Sequence, residues 1–260
     1  MQRAFAAGLL IALACSVLGV FLVLRREAML GHGLAHVTFG GVALGLLLGI
    51  SPIWTALVVA VLASGLLLKL RETMGLHGDT AIGIVSSVGF ALGVVIASAS
   101  GRFSVELFSY LFGNILAIST GEVFSSVILA GVVIVTVALN YNDLVSITFD
   151  NELAKSSGIP VARLDLLVAV LSAVTVVLAM KVVGLLLVAA LIVIPAATAL
   201  QLAPSFRSAI ILSCIAGMSS VAAGLVASYY LDLPASGSIV LVETVLFIAA
   251  WMGAKFFNSH

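Results

Sequence analysis

Two histidines near the start of the chain have the side-chain type and spacing of a metal-binding pair. His32 and His36 are four residues apart, so on a helix both imidazoles project from one face. Imidazole nitrogens bind zinc and manganese, and zinc is the better suited to nitrogen ligands. The spacing therefore predicts a metal site at His32 and His36, with a pair of interfacial histidines as the alternative.

Glu243 is the one acidic residue that the sequence places inside a long apolar segment. An ionisable group at membrane depth is costly and tends to line a pathway or to pair with a partner. Glu243 is therefore a third predicted metal ligand, with structural hydrogen bonding as the alternative. Asp232 and Glu106 are expected at the outer face, as an acidic entrance or as ordinary solvated acids. His77 is expected in a solvated loop, and His260 is terminal.

The composition shows which solvent surrounds these side chains. Of 260 residues, 63% are hydrophobic and 8% are charged, whereas about a quarter of an ordinary soluble domain is charged. A chain this apolar needs lipid around it, so we expect an all-α integral membrane protein. The formal net charge of zero offers no basic surface for nucleic acid.

The charged residues divide the chain into segments that each cross the membrane as one helix of about 20 residues. We expect about nine transmembrane helices in a single transmembrane domain spanning residues 1–260. The expected spans are 4–24, two between Glu27 and Lys69 with a turn near Ser51 and Pro52, 80–101, 123–142, two around Lys181 and Gly184, 208–229 and 237–253. Residues 104–118 are expected to form a re-entrant or interfacial helix, and 143–165 a cytoplasmic loop.

The basic residues predict the orientation, because cytoplasmic loops carry an excess of Lys and Arg. With the N-terminus outside, eight of the 11 Lys and Arg residues become cytoplasmic: Arg25, Arg26, Lys69, Arg71, Lys155, Arg163, Arg207 and Lys255. We therefore expect a multi-pass protein of the cell membrane with its C-terminus in the cytoplasm.

The polar loop contains a short helix with recognisable ends. Asp150 can cap its start, Gly158 can follow its end, and Pro160 prevents its continuation. From the residues alone, this is a loop that happens to be helical or a docking element parallel to the membrane.

Several stretches, in order along nearly the whole chain, resemble the permease subunits of the ABC importers for zinc, manganese and iron. Asp150 to Ala154, followed by Ser157 to Pro160, is similar to the coupling helix of that family. The other matching stretches are Arg25-Arg26 with Met29, Gly31, Leu34 to His36 and Gly41; Tyr110 to Leu116; Lys181 to Gly184 through Ile194 to Ala199; and Leu233 to Gly237. At the position of His32 the family often has an aspartate.

The resemblance implies a vitamin-importer-permease-like fold and a set of partners. Two permease copies, as a homodimer, would form the pathway, and an extracytoplasmic protein would deliver the metal. Cytoplasmic ATP-binding subunits would dock on the coupling helix through Asp150, Glu152, Leu153, Ala154 and Gly158. No permanently bound cofactor is implied, and zinc or manganese is the expected transported ion.

The chain has no Gly-rich phosphate loop ending in Lys-Ser or Lys-Thr, so we expect a transport subunit and not an enzyme. A permease for a metal chelate, such as a siderophore or cobalamin, is the alternative within the importers. An ion-coupled secondary carrier would need charge relays inside the membrane, and only Glu243 offers one. A membrane-embedded hydrolase would need a His-Glu-x-x-His or comparable set, which the sequence lacks.

Overall fold

The structure of the protein is a computed structural model that describes residues 2–74, 78–99, 110–111, 113 and 118–257. Most of the predicted interfacial helix at 104–118 lies outside these residues, as do His77, Glu106 and His260. The described residues form eleven helices and no strand. One helix has six residues, and each of the others has nine or more. Secondary structure of this kind satisfies every backbone group within its own segment, which lipid requires.

Nine of the helices are long and apolar enough to cross a membrane, in agreement with the predicted number for the part of the chain that is described. They are α1 (Gln2–Leu24), α2 (Met29–Leu48), α3 (Pro52–Met74), α4 (Gly78–Ala99), α5 (Thr120–Leu139), α8 (Val161–Val183), α9 (Leu185–Leu202), α10 (Phe206–Leu231) and α11 (Ala235–Phe257). The two that do not span are α6 (Tyr141–Phe149) and α7 (Asn151–Ser156).

Helices α1 and α2 form the centre of the bundle and are the most buried of the spans. Helix α1 packs against α5, α9 and α10, and α2 packs against α3, α4 and α8. Helix α11 closes the bundle against α9 and α10. The outward faces of α3, α4, α5 and α11 carry exposed Val, Leu, Ile and aromatic side chains, which suits contact with lipid.

Glycines set how closely α2 approaches its neighbours. A Cβ atom at Gly41 would lie 2.6 Å from the Cα atom of Ala56 on α3, and one at Gly40 would lie 2.6 Å from the carbonyl oxygen of Gly89 on α4. Helix α2 is therefore in backbone contact with both neighbours, as small residues permit. Gly49, by contrast, has no neighbour within 4 Å of the position that a Cβ atom would take. It ends α2 with φ at 68° and begins the turn to Pro52.

The segment 143–165 is largely helical, so its prediction as a loop is corrected. Helix α6 begins at Tyr141, directly after α5, and buries Leu144 and Ile147. Helix α7 follows at once, and α8 already begins at Val161. Helix α6 is not evident from the sequence, because its only buried residues, Leu144 and Ile147, form an apolar stripe one turn long among polar residues.

Candidate metal and coupling sites

The two predicted histidine ligands lie together on α2. The helix begins at Met29, early enough for both residues to share one face. The Nε2 atoms of His32 and His36 are 3.0 Å apart, and the ring centroids are 4.5 Å apart with the rings edge to face. Both side chains are half-buried. In this arrangement one Nε2 donates a hydrogen bond and the other accepts it, so at least one ring presents a lone pair to its neighbour.

Helix α4 fixes the orientation of the pair from one side. The ring of Phe90 meets the ring of His36 edge to face, with centroids 4.9 Å apart. One turn further along the same face of α2, Gly40 is in close contact with α4. The Nδ1 atom of His36 is buried and has no hydrogen-bond partner among the described residues. Packing therefore orients the His36 ring, whose Nε2 atom is paired with that of His32.

The separation of the two Nε2 atoms suits a shared metal ion. Nitrogens bound to zinc at about 2.1 Å lie roughly 3.0 Å apart when the angle at the metal is a right angle, and roughly 3.4 Å apart when it is tetrahedral. The observed 3.0 Å falls at the lower end of that range. The separation is therefore compatible with one divalent ion bound to both nitrogens.

Glu243 does not join this pair. It lies on the inner face of α11, which packs on α9 and α10, and its side chain is 1% exposed. Both carboxyl oxygens lack a hydrogen-bond partner among the described residues, and Cys15 of α1 lies within electrostatic range. No group of three or more His, Cys, Asp or Glu side chains converges anywhere in the described ranges. The structure thus brings together two of the three predicted ligands.

Helix α7 has the capped ends that the sequence predicts. The side chain of Asp150 accepts a hydrogen bond of 2.9 Å from the backbone N–H of Leu153, and Gly158 follows the helix with φ at 83°. Glu152 and Leu153 are exposed, and Leu153 is 64% exposed although it is apolar. Ala154 is buried, so it holds α7 against the rest of the chain and does not form its outer surface.

A chain of charged side chains joins the start of α8 to the start of α2. Arg25 is hydrogen-bonded to Asp165, and its guanidinium lies 3.9 Å from the Glu27 carboxylate. Glu27 also accepts a hydrogen bond of 2.6 Å from Arg71 at the end of α3. We call these four residues, Asp165, Arg25, Glu27 and Arg71, the charge chain. Each side chain is no more than 21% exposed, so water screens these pairs less than surface pairs.

The charge chain lies beside α7 and includes Glu27, which is close to the start of α2, the helix that carries the two histidines. Asp165 follows α7 by one turn of α8, and Glu27 is two residues before α2. A cavity of about 460 Å³ separates Arg25 and Glu27 from Phe149 and Asn151 at the junction of α6 and α7. No local pattern in the sequence indicates the charge chain, because Arg25 and Asp165 are 140 residues apart. The opposite charges at the ends of the spans were the available signal.

Nine apolar spans, with the short helix α7 between two of them and a close pair of histidines on α2, make the described part of the chain a multi-pass membrane protein. Residues 1–254 match the model of the ABC 3 transport family, and the chain belongs to that family. It is therefore the permease subunit of an ATP-binding-cassette importer and not an enzyme, as predicted.

Curated relatives resemble the chain over nearly its whole length. It is 35% identical over 246 residues to a membrane protein of a metal transport system of Treponema pallidum, with 95% of this chain and 92% of that protein covered. It is 32% identical to the manganese transport system membrane protein MntC of Listeria monocytogenes, covering 98% of this chain and 90% of that protein.

Solved structures share the fold. PsaBC from Streptococcus pneumoniae, in complex with Fab, matches with a TM-score of 0.86 and 32% identity, covering 96% of this chain and 90% of that chain. An inward-facing metal-chelate type ABC transporter shares the fold at 15% identity with a TM-score of 0.76. The family and its relatives support an importer of metal ions over the chelate permease and the secondary carrier. The chain is a multi-pass protein of the plasma membrane that works with an ATPase and a substrate-binding protein.

Proposed function

We propose that His32 and His36 bind the transported divalent metal ion as it passes through this permease. The observation that carries the proposal is the 3.0 Å separation of two imidazole Nε2 atoms on one face of α2. The side chains of two permease copies, arranged as a homodimer around the pathway, would supply two such pairs. Four imidazole nitrogens complete the coordination that zinc prefers, with no buried negative charge to compensate.

The donor set favours zinc over manganese as the better-bound ion. Imidazole nitrogen suits zinc, whereas manganese is more at home with carboxylate and water oxygens. The relative MntC is named for manganese transport, so the two ions must be compared directly. Uptake of zinc and manganese into cells or vesicles that carry the whole importer, each in competition with the other, makes that comparison. Preferential zinc uptake that is lost in His36→Ala supports the proposal, whereas manganese preference that survives the substitution contradicts it.

We further propose that α7 docks on the ATPase and that the charge chain passes its movement to α2. Leu153 presents an apolar side chain outside the spans, where a groove of a partner can bury it. Asp165 links the beginning of α8 to Arg25, and Glu27 holds the beginning of α2 against Arg71 on α3. A displacement of α7 and α8 would thus shift the first residues of α2, which lie one turn before His32.

The proposed orientation has the N-terminus outside and the C-terminus in the cytoplasm, within a single permease domain. The end of the bundle that carries α6, α7 and the charge chain then faces the ATPase. Lys181 and Glu122 lie together at the other end of the bundle, with the Nζ and Oε1 atoms 2.8 Å apart. Glu122 is near the start of α5, and Lys181 is near the end of α8. Labelling of single cysteines with a membrane-impermeant reagent in intact cells tests this: a cysteine at Ser156 stays unlabelled, and a cysteine at Asp232 reacts.

A further inference from the structure

A groove opens towards lipid between α5 and α10. Both helices pack against α1 but hardly touch each other, so the surface of α1 forms the floor between them. The groove encloses about 550 Å³, and its walls and floor are apolar, including Val17, Val137 and Ile211. Val17 of α1 lines it between the two helices, and we refer to it as the α5–α10 groove.

One end of the α5–α10 groove is polar. Tyr141, Asn142 and Arg207 line it there, at the beginnings of α6 and α10. The guanidinium carbon of Arg207 lies 5.5 Å from the centroid of the Tyr141 ring, which orients the cation over the groove. Arg207 is exposed and forms no ion pair with any carboxylate that the structure describes. The polar end thus offers a guanidinium, an amide and a phenol to an anion.

The spacing of the two ends matches a membrane lipid. From Tyr141 back to Ile134 the groove follows α5 for two turns, or about 10 Å. Its polar end lies at the level where the spans end, and its apolar part extends into the hydrocarbon layer. A phospholipid has the same order of chemistry, with a phosphate at the interface and an acyl chain below it.

We propose that the α5–α10 groove binds an anionic phospholipid of the leaflet that faces the ATPase. The phosphate contacts Arg207, Tyr141 and Asn142, and one acyl chain lies over Val17 between α5 and α10. Net negative charge distinguishes this ligand from a zwitterionic lipid, because Arg207 has no other counter-charge among the described residues. The leaflet assignment rests on the proposed orientation, since anionic lipids are enriched on the cytoplasmic side.

The bound lipid would support the element that carries the coupling helix. Phe206, next to Arg207, packs its ring 6.0 Å from the rings of both Tyr141 and Phe149, which begin and end α6. It also contacts Phe21 of α1 with the centroids 5.1 Å apart. A lipid held on Tyr141 and Arg207 therefore stabilises the packing of α6 on α1, directly before α7.

Native mass spectrometry of the full chain in detergent, titrated with phosphatidylglycerol or phosphatidylcholine, tests the proposal. We expect phosphatidylglycerol to bind about fivefold more tightly, which corresponds to ~1 kcal/mol for one basic residue at the surface. Arg207→Gln should reduce its affinity to that of phosphatidylcholine. Lys255→Gln is the matched control and should change nothing, because Lys255 also lies over an aromatic ring, Trp251, at 5.7 Å but does not line the α5–α10 groove.

A second variant tests the apolar part. Ala138→Trp fills the α5–α10 groove from its exposed wall, so both lipids should be lost while the melting temperature stays close to wild type. Equal affinities for the two lipids, or the same loss in Lys255→Gln, would overturn the proposal. So would displacement of the lipid by inorganic phosphate alone, or a dimer that Ala138→Trp dissociates without any change in lipid binding. The measurement needs neither metal nor ATP, so it can fail while the proposed transport site stands.

Discussion

The histidine pair and Glu243 are both ionisable groups inside the membrane spans, but they differ in burial and in hydrogen bonding. His32 and His36 are half-buried, face one another and share a hydrogen bond. Glu243 is almost fully buried, and its oxygens have no partner among the described residues. An ion-binding site needs donors that converge and that an ion can reach. The two imidazoles converge and stay partly exposed, whereas the Glu243 carboxylate lies apart from them and is almost fully buried.

The largest effect should come from His36. We expect His36→Ala to reduce metal uptake by at least ~10-fold, the scale of loss seen even for groups that only support a metal ligand. Phe90→Leu provides a comparison: it removes the ring that orients His36 but leaves both Nε2 atoms, so uptake should fall less than in His36→Ala. Protein level and ATPase association should stay normal in both variants. Full uptake in His36→Ala and His32→Ala together would reduce the pair to an interfacial role.

The coupling helix should show the next largest effect. Leu153→Asp places a charge where the proposed ATPase groove buries a leucine, so we expect association to weaken by ~3 kcal/mol, or about 100-fold. Leu153→Met keeps an apolar side chain of similar volume and should retain uptake. The spans do not depend on Leu153, since it is exposed, so the melting temperature of the permease alone should not change. Normal assembly and uptake in Leu153→Asp would remove α7 from the coupling mechanism.

The charge chain should show a smaller effect with a specific rescue. Arg25→Asp places a carboxylate beside Asp165 and Glu27, and we expect uptake to fall while ATPase activity of the complex continues. Adding Asp165→Arg restores an opposite pair, with an interaction energy of ~0.5–3 kcal/mol in a double-mutant cycle. Uptake and ATPase activity should be measured on the same preparation. Additive losses with no recovery in the double variant would contradict a link through this pair.

Glu243 should show the smallest effect on transport. Glu243→Gln keeps the shape of the side chain and removes its charge, so uptake should stay within about twofold of wild type if the carboxylate does not ligand the ion. Glu243→Leu removes a buried group without partners among the described residues and should raise the free energy of unfolding by ~1–3 kcal/mol. If Glu243→Gln lost as much uptake as His36→Ala, Glu243 would be a ligand on the pathway, and the proposed difference between it and the histidine pair would be wrong.

The sequence was informative where the determinant is local. Apolar length predicted the spans, the turn at Pro52 was visible as a break between two of them, and Asp150 with Gly158 predicted the ends of α7. The four-residue spacing placed His32 and His36 on one face once α2 was known to begin at Met29. Each of these features depends on residues within a few turns of one another.

The failures concern contacts between distant parts of the chain. The pairing of Arg25 with Asp165 depends on how α1 and α8 meet, and no local pattern encodes it. Ala154 looked like part of the docking surface until its burial became visible. The role of Glu243 as a ligand stays a prediction: its depth followed from the sequence, whereas its neighbours follow from the packing of α11 on α9 and α10. Depth can be inferred from one segment, whereas convergence requires the whole bundle.

X-ray absorption spectroscopy of zinc bound to the importer complex tests the central claim most directly. For the wild type we predict a first shell that contains imidazole nitrogens at about 2.0–2.1 Å. Replacing His32 and His36 together with alanine should abolish stoichiometric binding, while Glu243→Gln should leave the spectrum unchanged. Persistence of the imidazole signature in the double alanine variant, or its loss in Glu243→Gln, would contradict the assignment of the ion to the pair on α2.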